Sequence, residues 1–320
     1  MSNSNTLLLK EFSSQIVLFP SFHHAYTKLQ KSLETTQQRG VPNSAMVIGP
    51  SGSGKSTLCE IFRDSFGPSH EDTRPDGVYR IQPAFYCSTP SPVTVKSFAK
   101  TVVQKLSPAG RPPDLRGDTV ELTFRMLELF NTCDIQVCEF DEFHYLVKPE
   151  AVKARAIVIN WLITLLNESH LAFVLAGTND CLELLQQCPA LARRFPFIIE
   201  LKYISYSEDK ASDYMILLSK LDDHIVGIAQ ISGGSKLTDP DIASRLYVAT
   251  SGNLEYIRMI IHGALQNALP HRSEGLNLAD FKRAAALLDL KMNLFNSTFP
   301  FDETLSRCYK KIYGLRDENT

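Results

Sequence analysis

The octapeptide Gly49-Pro50-Ser51-Gly52-Ser53-Gly54-Lys55-Ser56 constrains this chain more than any other stretch. It satisfies G-x-x-x-x-G-K-S/T at every fixed position. The apolar run Ala45-Met46-Val47-Ile48 leads straight into it, and a helical pattern from Thr57 to Phe66 leads out. Strand, glycine turn and helix in that order make a phosphate cradle. The glycines let successive N–H groups turn inward, and the helix N-terminus adds partial positive charge. Lys55 is expected to reach the β and γ phosphates of a nucleotide and the Ser56 hydroxyl to ligate Mg²⁺; Thr57 completes the set expected at the nucleotide.

A phosphate-bound Mg²⁺ needs a second protein ligand, and hydrolysis needs a base for water. Ile135-Gln136-Val137-Cys138-Glu139-Phe140-Asp141-Glu142 supplies an apolar strand ending in two carboxylates, the form of a Walker B motif. Asp141 is expected in the Mg²⁺ shell, directly or through water, and Glu142 is expected to orient and deprotonate the attacking water. Glu139 interrupts the apolar run on the face of Asp141 if the strand alternates, and the pattern assigns it no role. Leu171 to Ala176 ends in Gly177-Thr178-Asn179, a polar pair at the mouth of another strand that suits a bridge to the γ-phosphate and equally a helix entry. Leu191-Ala192-Arg193-Arg194-Phe195-Pro196 sets paired arginines before a further apolar run. An arginine there can project into a neighbouring subunit's nucleotide; a solvated basic turn gives the same pattern.

Around these motifs the hydrophobic pattern alternates. A helix is predicted over 22–38, and buried strands around Arg80 to Tyr86, Ile135 to Phe140, Leu171 to Ala176 and Phe197 to Leu201, with helices near 93–106, 119–131, 150–168 and 179–187. That alternation implies a mostly parallel sheet covered on both faces. Past Leu201 it gives way to helical patterns near 207–222, 239–250, 253–269 and 277–290. The expected organisation is an α/β nucleotide-binding domain with an N-terminal extension over 1–204, a helical lid over 205–290, and a tail over 291–320 suited to packing or to partner docking.

Composition acts by exclusion. With 33 Lys and Arg against 35 Asp and Glu the formal net charge is −2, so any polyanion has to be met by a local patch. One such excess is Lys96, Lys100, Lys105, Arg111 and Arg116 against Asp114, a candidate DNA surface or a solvated helix face. No apolar run reaches the roughly 18 residues of a membrane span, and the start lacks a basic region followed by an apolar block, so a cytoplasmic chain without membrane contact is expected. Seven cysteines, none spaced as Cys-x-x-Cys, are expected as thiols.

The motif order resembles the AAA+ ATPases and, within them, the TnsC/TniB family of ATP-dependent regulators of DNA transposition. The resemblance rests on Phe19-Pro20 before the P-loop, Asp141-Glu142-Phe143-His144-Tyr145-Leu146, Ala176-Gly177-Thr178 and Ala192-Arg193-Arg194-Phe195, and covers roughly residues 16 to 265. It implies a five-stranded parallel sheet in the order 5-1-4-3-2, a helical lid, and ATP-dependent rings or filaments of this chain on double-stranded DNA. The partners it implies are a DDE transposase and a TniQ-type target-selection protein. Asn179, with Thr178 as rival, takes the sensor 1 role, and Arg194, with Arg193 as rival, the arginine finger. A sensor 2 arginine is due just after a glycine turn, but Ser251-Gly252-Asn253-Leu254 is followed by Glu255 and Tyr256. The nearest candidate, Arg258, is displaced along the helix, which implies slow or atypical hydrolysis. Two other functions fit the motifs: a loader of the Orc/Cdc6 kind, and a small-molecule P-loop kinase, against which Asp141-Glu142 favours water as the acceptor.

Overall fold

The computed structural model describes residues 3–75, 77–107, 113–231, 233–295 and 299–314. Two compact units divide the chain: His24–Leu201, and Met1–His23 together with Lys202–Thr320. The first carries the strands β1 (Ala45–Ile48), β2 (His70–Arg74), β3 (Gly77–Ile81), β4 (Ala84–Ser88), β5 (Val137–Asp141), β6 (Ala172–Gly177) and β7 (Phe197–Glu200). Five of them form a sheet in the order β7-β1-β6-β5-β4, with every neighbouring pair parallel. Counted among themselves these strands run 5-1-4-3-2, the order the resemblance implies.

All residues of β1, β5 and β6 are buried, which is why they read in sequence as apolar runs. The run from Arg80 to Tyr86 is not one strand, however. Pro83 has no N–H for a ladder, and Gln82 turns its own N–H to the Cys133 carbonyl, 2.8 Å away. Residues before that break join β2 and β3 into a separate antiparallel ribbon, and residues after it enter the sheet as β4.

Helices α1 (Asn3–Ser14) and α2 (Pro20–Arg39) precede β1, and the unit boundary falls within α2. The sheet is then dressed by α3 (Lys55–Asp64), α4 (Val95–Leu106), α5 (Thr119–Thr132), α6 (Val152–Ser169), α7 (Leu182–Gln187) and α8 (Pro189–Ala192). Capping boxes start α4 (Thr94 with Ser97) and α5 (Asp118 with Glu121), satisfying N–H groups that a helix start leaves unpaired. On α4, Val95, Phe98, Ala99, Val102, Val103 and Leu106 face the core, at helical spacing.

The second unit contains α9 (Asp213–His224), α10 (Pro240–Thr250), α11 (Leu254–Ala268), α12 (Leu278–Ala285) and α13 (Leu305–Ile312). Its turn before α11 needs a glycine: Gly252 has φ +76°, and a Cβ there would stand 1.9 Å from the Ile204 carbonyl oxygen. Helix α1 packs on α11 in this unit, with Leu9 and Phe12 buried, whereas the sequence pattern grouped the N-terminal segment with the nucleotide-binding domain. Helix α13 packs on α10, with Cys308 buried beside Val248 and Phe295. Among the described residues no helix is long and apolar enough to cross a membrane.

Candidate nucleotide site

The P-loop is anchored by backbone where it leaves β1. Leu201 N donates to Ile48 O at 2.8 Å and Gly49 N to Gly177 O at 3.3 Å. A Cβ on Gly49 would stand 2.2 Å from the Leu201 carbonyl oxygen, so close approach admits only glycine there. Gly52 (φ +76°) and Gly54 (φ +95°) take left-handed conformations, and Gly54 is the N-cap of α3. Pro50 and Ser51 form the crest; Ser53 is buried, and Thr57 is half-buried on the first turn of α3. Lys55 Nζ donates to the carbonyls of Gly49 and Pro50, each at 2.9 Å. Burial lowers its pKa, against the pull of the Asp141 and Glu142 carboxylates.

Ser56 Oγ donates to Asp141 Oδ2 at 3.0 Å, joining residues 85 positions apart in sequence. Asp141 Oδ1 accepts from Glu142 N at 2.7 Å, and the Asp141 carbonyl accepts from Thr89 Oγ1 at 2.7 Å and Thr89 N at 2.8 Å. A hydroxyl and a carboxylate oxygen in contact are the hard donors that Mg²⁺ takes alongside phosphates and water, so the residues fit that ion. Glu142 leaves β5 in a left-handed conformation (φ 57°), which turns its half-exposed carboxylate away from the strand. His144 Nδ1 lies 3.3 Å from Glu142 Oε2 without hydrogen-bond geometry, a contact the sequence pattern did not single out. Glu139 is fully buried, and burial raises its pKa to about 8 against the pull of Arg63, whose Nη1 lies 3.8 Å away.

Register brings the next candidates to the same edge. Ile48 pairs with Gly177, so Thr178 and Asn179 emerge beside the P-loop. Thr178 is half-buried with Oγ1 in reach of Asp180 Oδ2 at 3.3 Å, and Asn179 is exposed at the start of a 3-10 turn. The arginine pair lies elsewhere. The Arg194 carbonyl accepts from Ser44 N at 2.8 Å, at the start of β1, whereas the P-loop follows the end of β1. Four strand residues span about 13 Å. Arg194 is also committed: Nε and Nη2 donate to Asn167 Oδ1 at 3.1 and 2.6 Å, and Nη1 donates to the Ala190 carbonyl at 2.8 Å. Arg193 is exposed and has no partner among the described residues.

A family model described as "Bacterial TniB protein" matches residues 11–202. The chain belongs to the TniB family. No curated protein matches it significantly. Among solved structures it is similar to the Orc1 protein of Aeropyrum pernix in complex with DNA, at 14% identity and a TM-score of 0.55, over 85% of this chain and 66% of that one. Cdc6p from Pyrobaculum aerophilum aligns at 14% identity and a TM-score of 0.57, over 89% and 70% of the two chains. A Walker-type ATPase of Pyrococcus abyssi aligns at 12% identity and a TM-score of 0.51, over 80% and 70%. The chain thus spans just under two thirds of the Aeropyrum protein's length. At these identities the likeness is one of fold, that of the AAA+ ATPases.

The remaining candidates of this TniB-family chain are divided between the two units. Arg258, on α11, donates from Nη2 to the Ser13 carbonyl of α1 at 2.9 Å, and burial lowers its pKa. Lys96 and Lys100 lie four apart on α4 and so share one face. Lys105 does not join them: its Nζ donates to the Tyr86 carbonyl at 3.4 Å and sits 5.5 Å from the Tyr86 ring centroid. Arg116 bonds Asp114 on its own turn, and Arg111 lies outside the described residues.

Proposed function

We propose that this protein is an ATP-dependent, DNA-binding regulator of transposition. It assembles as rings or filaments on duplex DNA, links a TniQ-type target-selection protein to a DDE transposase, and disassembles on ATP hydrolysis. The observation that carries the reading is the Ser56–Asp141 hydrogen bond, followed directly by Glu142, in a chain of the TniB family. In this reading the loop from Gly49 to Ser56 cradles the phosphates through its N–H groups, and Lys55 exchanges its carbonyl partners for phosphate oxygens. Ser56 and Asp141 hold Mg²⁺, which when bound neutralises charge on the phosphates. Glu142 takes the proton of the attacking water, and Thr178 or Asn179 aligns that water with the γ-phosphate.

Arg193 serves as the finger. The paired arginines sit about a strand's length from their own P-loop, too far for a side chain to bridge, so the nucleotide served is a neighbour's. Support for the DNA part is the pair Lys96 and Lys100, without partners among the described residues, and the likeness to an Orc1 protein solved with DNA. Phosphate release with and without duplex DNA tests the reading. Lys55→Ala should lose ATP binding, and Glu142→Gln should bind ATP without releasing phosphate. Wild-type turnover in Glu142→Gln, or transfer of the γ-phosphate to a small-molecule acceptor, would overturn it.

A further inference from the structure

Glu139 has no role in the reaction described above, yet it stands where a carboxyl is hardest to keep. Its side chain is 1% exposed and neither oxygen has a hydrogen-bond partner. A buried carboxyl left so is destabilising unless a cationic neighbour compensates it. That neighbour is Arg63, on the last turn of the helix that begins at the P-loop. The Arg63 guanidinium carbon also lies 4.9 Å from the centroid of the Tyr86 ring, and the Lys105 ammonium stands 5.5 Å from that centroid. Two cations thus attend one aromatic ring, an arrangement that fixes its position.

Register explains where the ring points. Tyr86 pairs with Glu139 and Ser88 with Asp141, so all four side chains share one face of the sheet. From there the Tyr86 hydroxyl reaches Asp141 Oδ2 at 3.4 Å and Ser88 Oγ at 3.3 Å. Asp141 Oδ2 already accepts from Ser56, and Oδ1 from Glu142 N. Of these donors Ser56 is the one whose oxygen must also serve the ion. Tyr86 stands outside the P-loop and has no such second task.

We propose that Tyr86 is a positioning residue for the Asp141 carboxylate, and that Arg63, seated between the buried Glu139 and the tyrosine ring, holds the tyrosine in that place. The relay runs from the far end of α3 through Glu139, Arg63 and Tyr86 to the Walker B carboxylate. It gives the buried glutamate a purpose and accounts for Lys105 turning toward β4. It rests on Asp141 being a metal ligand. Partners of metal-ligating carboxylates are worth roughly 10–100-fold in metal affinity, and the length of this hydrogen bond puts the expected loss at or below the lower edge, about three- to tenfold.

The test uses the full chain with Mn²⁺ as the probe, its free concentration followed by electron paramagnetic resonance with ADP bound. Nucleotide affinity in EDTA and the melting temperature are measured alongside. Tyr86→Phe should weaken Mn²⁺ about three- to tenfold and leave both companion values unchanged, which a merely structural role would not do. In an Arg63→Gln/Glu139→Gln background, where no lone buried charge remains, Tyr86→Phe should change Mn²⁺ affinity by less than about twofold, because the ring is no longer held. Wild-type Mn²⁺ affinity in Tyr86→Phe, or an equal loss in both backgrounds, would overturn the relay. Asp141→Asn separates the two levels: if it too binds Mn²⁺ normally, the metal-site reading fails and the relay with it.

Discussion

Arg193→Ala and Arg194→Ala, one residue apart, are predicted to fail for different reasons. Arg194→Ala deletes the bonds to Asn167 Oδ1, which tie the turn after α8 to α6, and the bond to the Ala190 carbonyl within α8. Hydrogen bonds from a charged donor are worth about 1.5–3 kcal/mol each when buried; partial exposure and a shared acceptor reduce the sum here to about 2 kcal/mol. For a unit the size of His24–Leu201 that lowers the melting temperature by roughly 4–8 °C. Arg193→Ala removes an exposed side chain without partners, so stability should move by less than about 0.5 kcal/mol while hydrolysis is lost. Calorimetry and phosphate release on each variant separate the two effects. Mixing Arg193→Ala with Lys55→Ala protein should restore part of the activity, since one interface then pairs an intact P-loop with an intact finger. Unchanged melting with lost hydrolysis in Arg194→Ala, together with normal hydrolysis in Arg193→Ala, would refute the assignment.

Neutralising Lys96 and Lys100 together should lower both duplex affinity and its salt dependence, by up to about two counterions per subunit, whereas Lys105→Ala should leave the salt slope intact; fluorescence anisotropy against salt concentration checks both, and a slope carried by Lys105 would contradict the geometry. Burial raises Glu139 from an ordinary 4.5 to about 8. Between those values the unfolded chain ionises while the folded one stays protonated, so the contribution is full below about pH 4.5 and is lost as pH rises toward 8, by up to about 1.4 kcal/mol per pH unit. Glu139→Gln in nucleotide-free protein should therefore gain stability over wild type across that window in urea titrations; a constant difference from pH 5 to 8 would refute the burial argument.

Chemistry that needs fixed spacing was legible in the sequence, as were elements buried on both faces. Gly49 to Ser56 and Asp141-Glu142 announce themselves because phosphate and metal tolerate few arrangements, and β1, β5 and β6 because every residue in them is buried. What escaped depends on packing. His70 to Arg74 carry no apolar alternation because that strand is almost wholly exposed, and Ile81, Ala84 and Phe85 look continuous across the break at Pro83. Helix α1 buries few large side chains, Leu9 and Phe12 among them, too short a stripe to read. Lys105 is nine residues from Lys96, half a turn out of phase, so a count of charges merges faces that the helix separates. Tyr86 reaches Asp141 only through the strand register, which no local pattern encodes.

The proposed function requires nucleotide sites that complete one another across subunits, on DNA. Electron microscopy of the protein with a slowly hydrolysed ATP analogue, Mg²⁺ and duplex DNA tests it most directly. Rings or filaments around the duplex, with Arg193 of one subunit at the P-loop of the next, are the predicted result. Single subunits along the DNA, or assemblies whose contacts leave every P-loop without a neighbouring arginine, would contradict it.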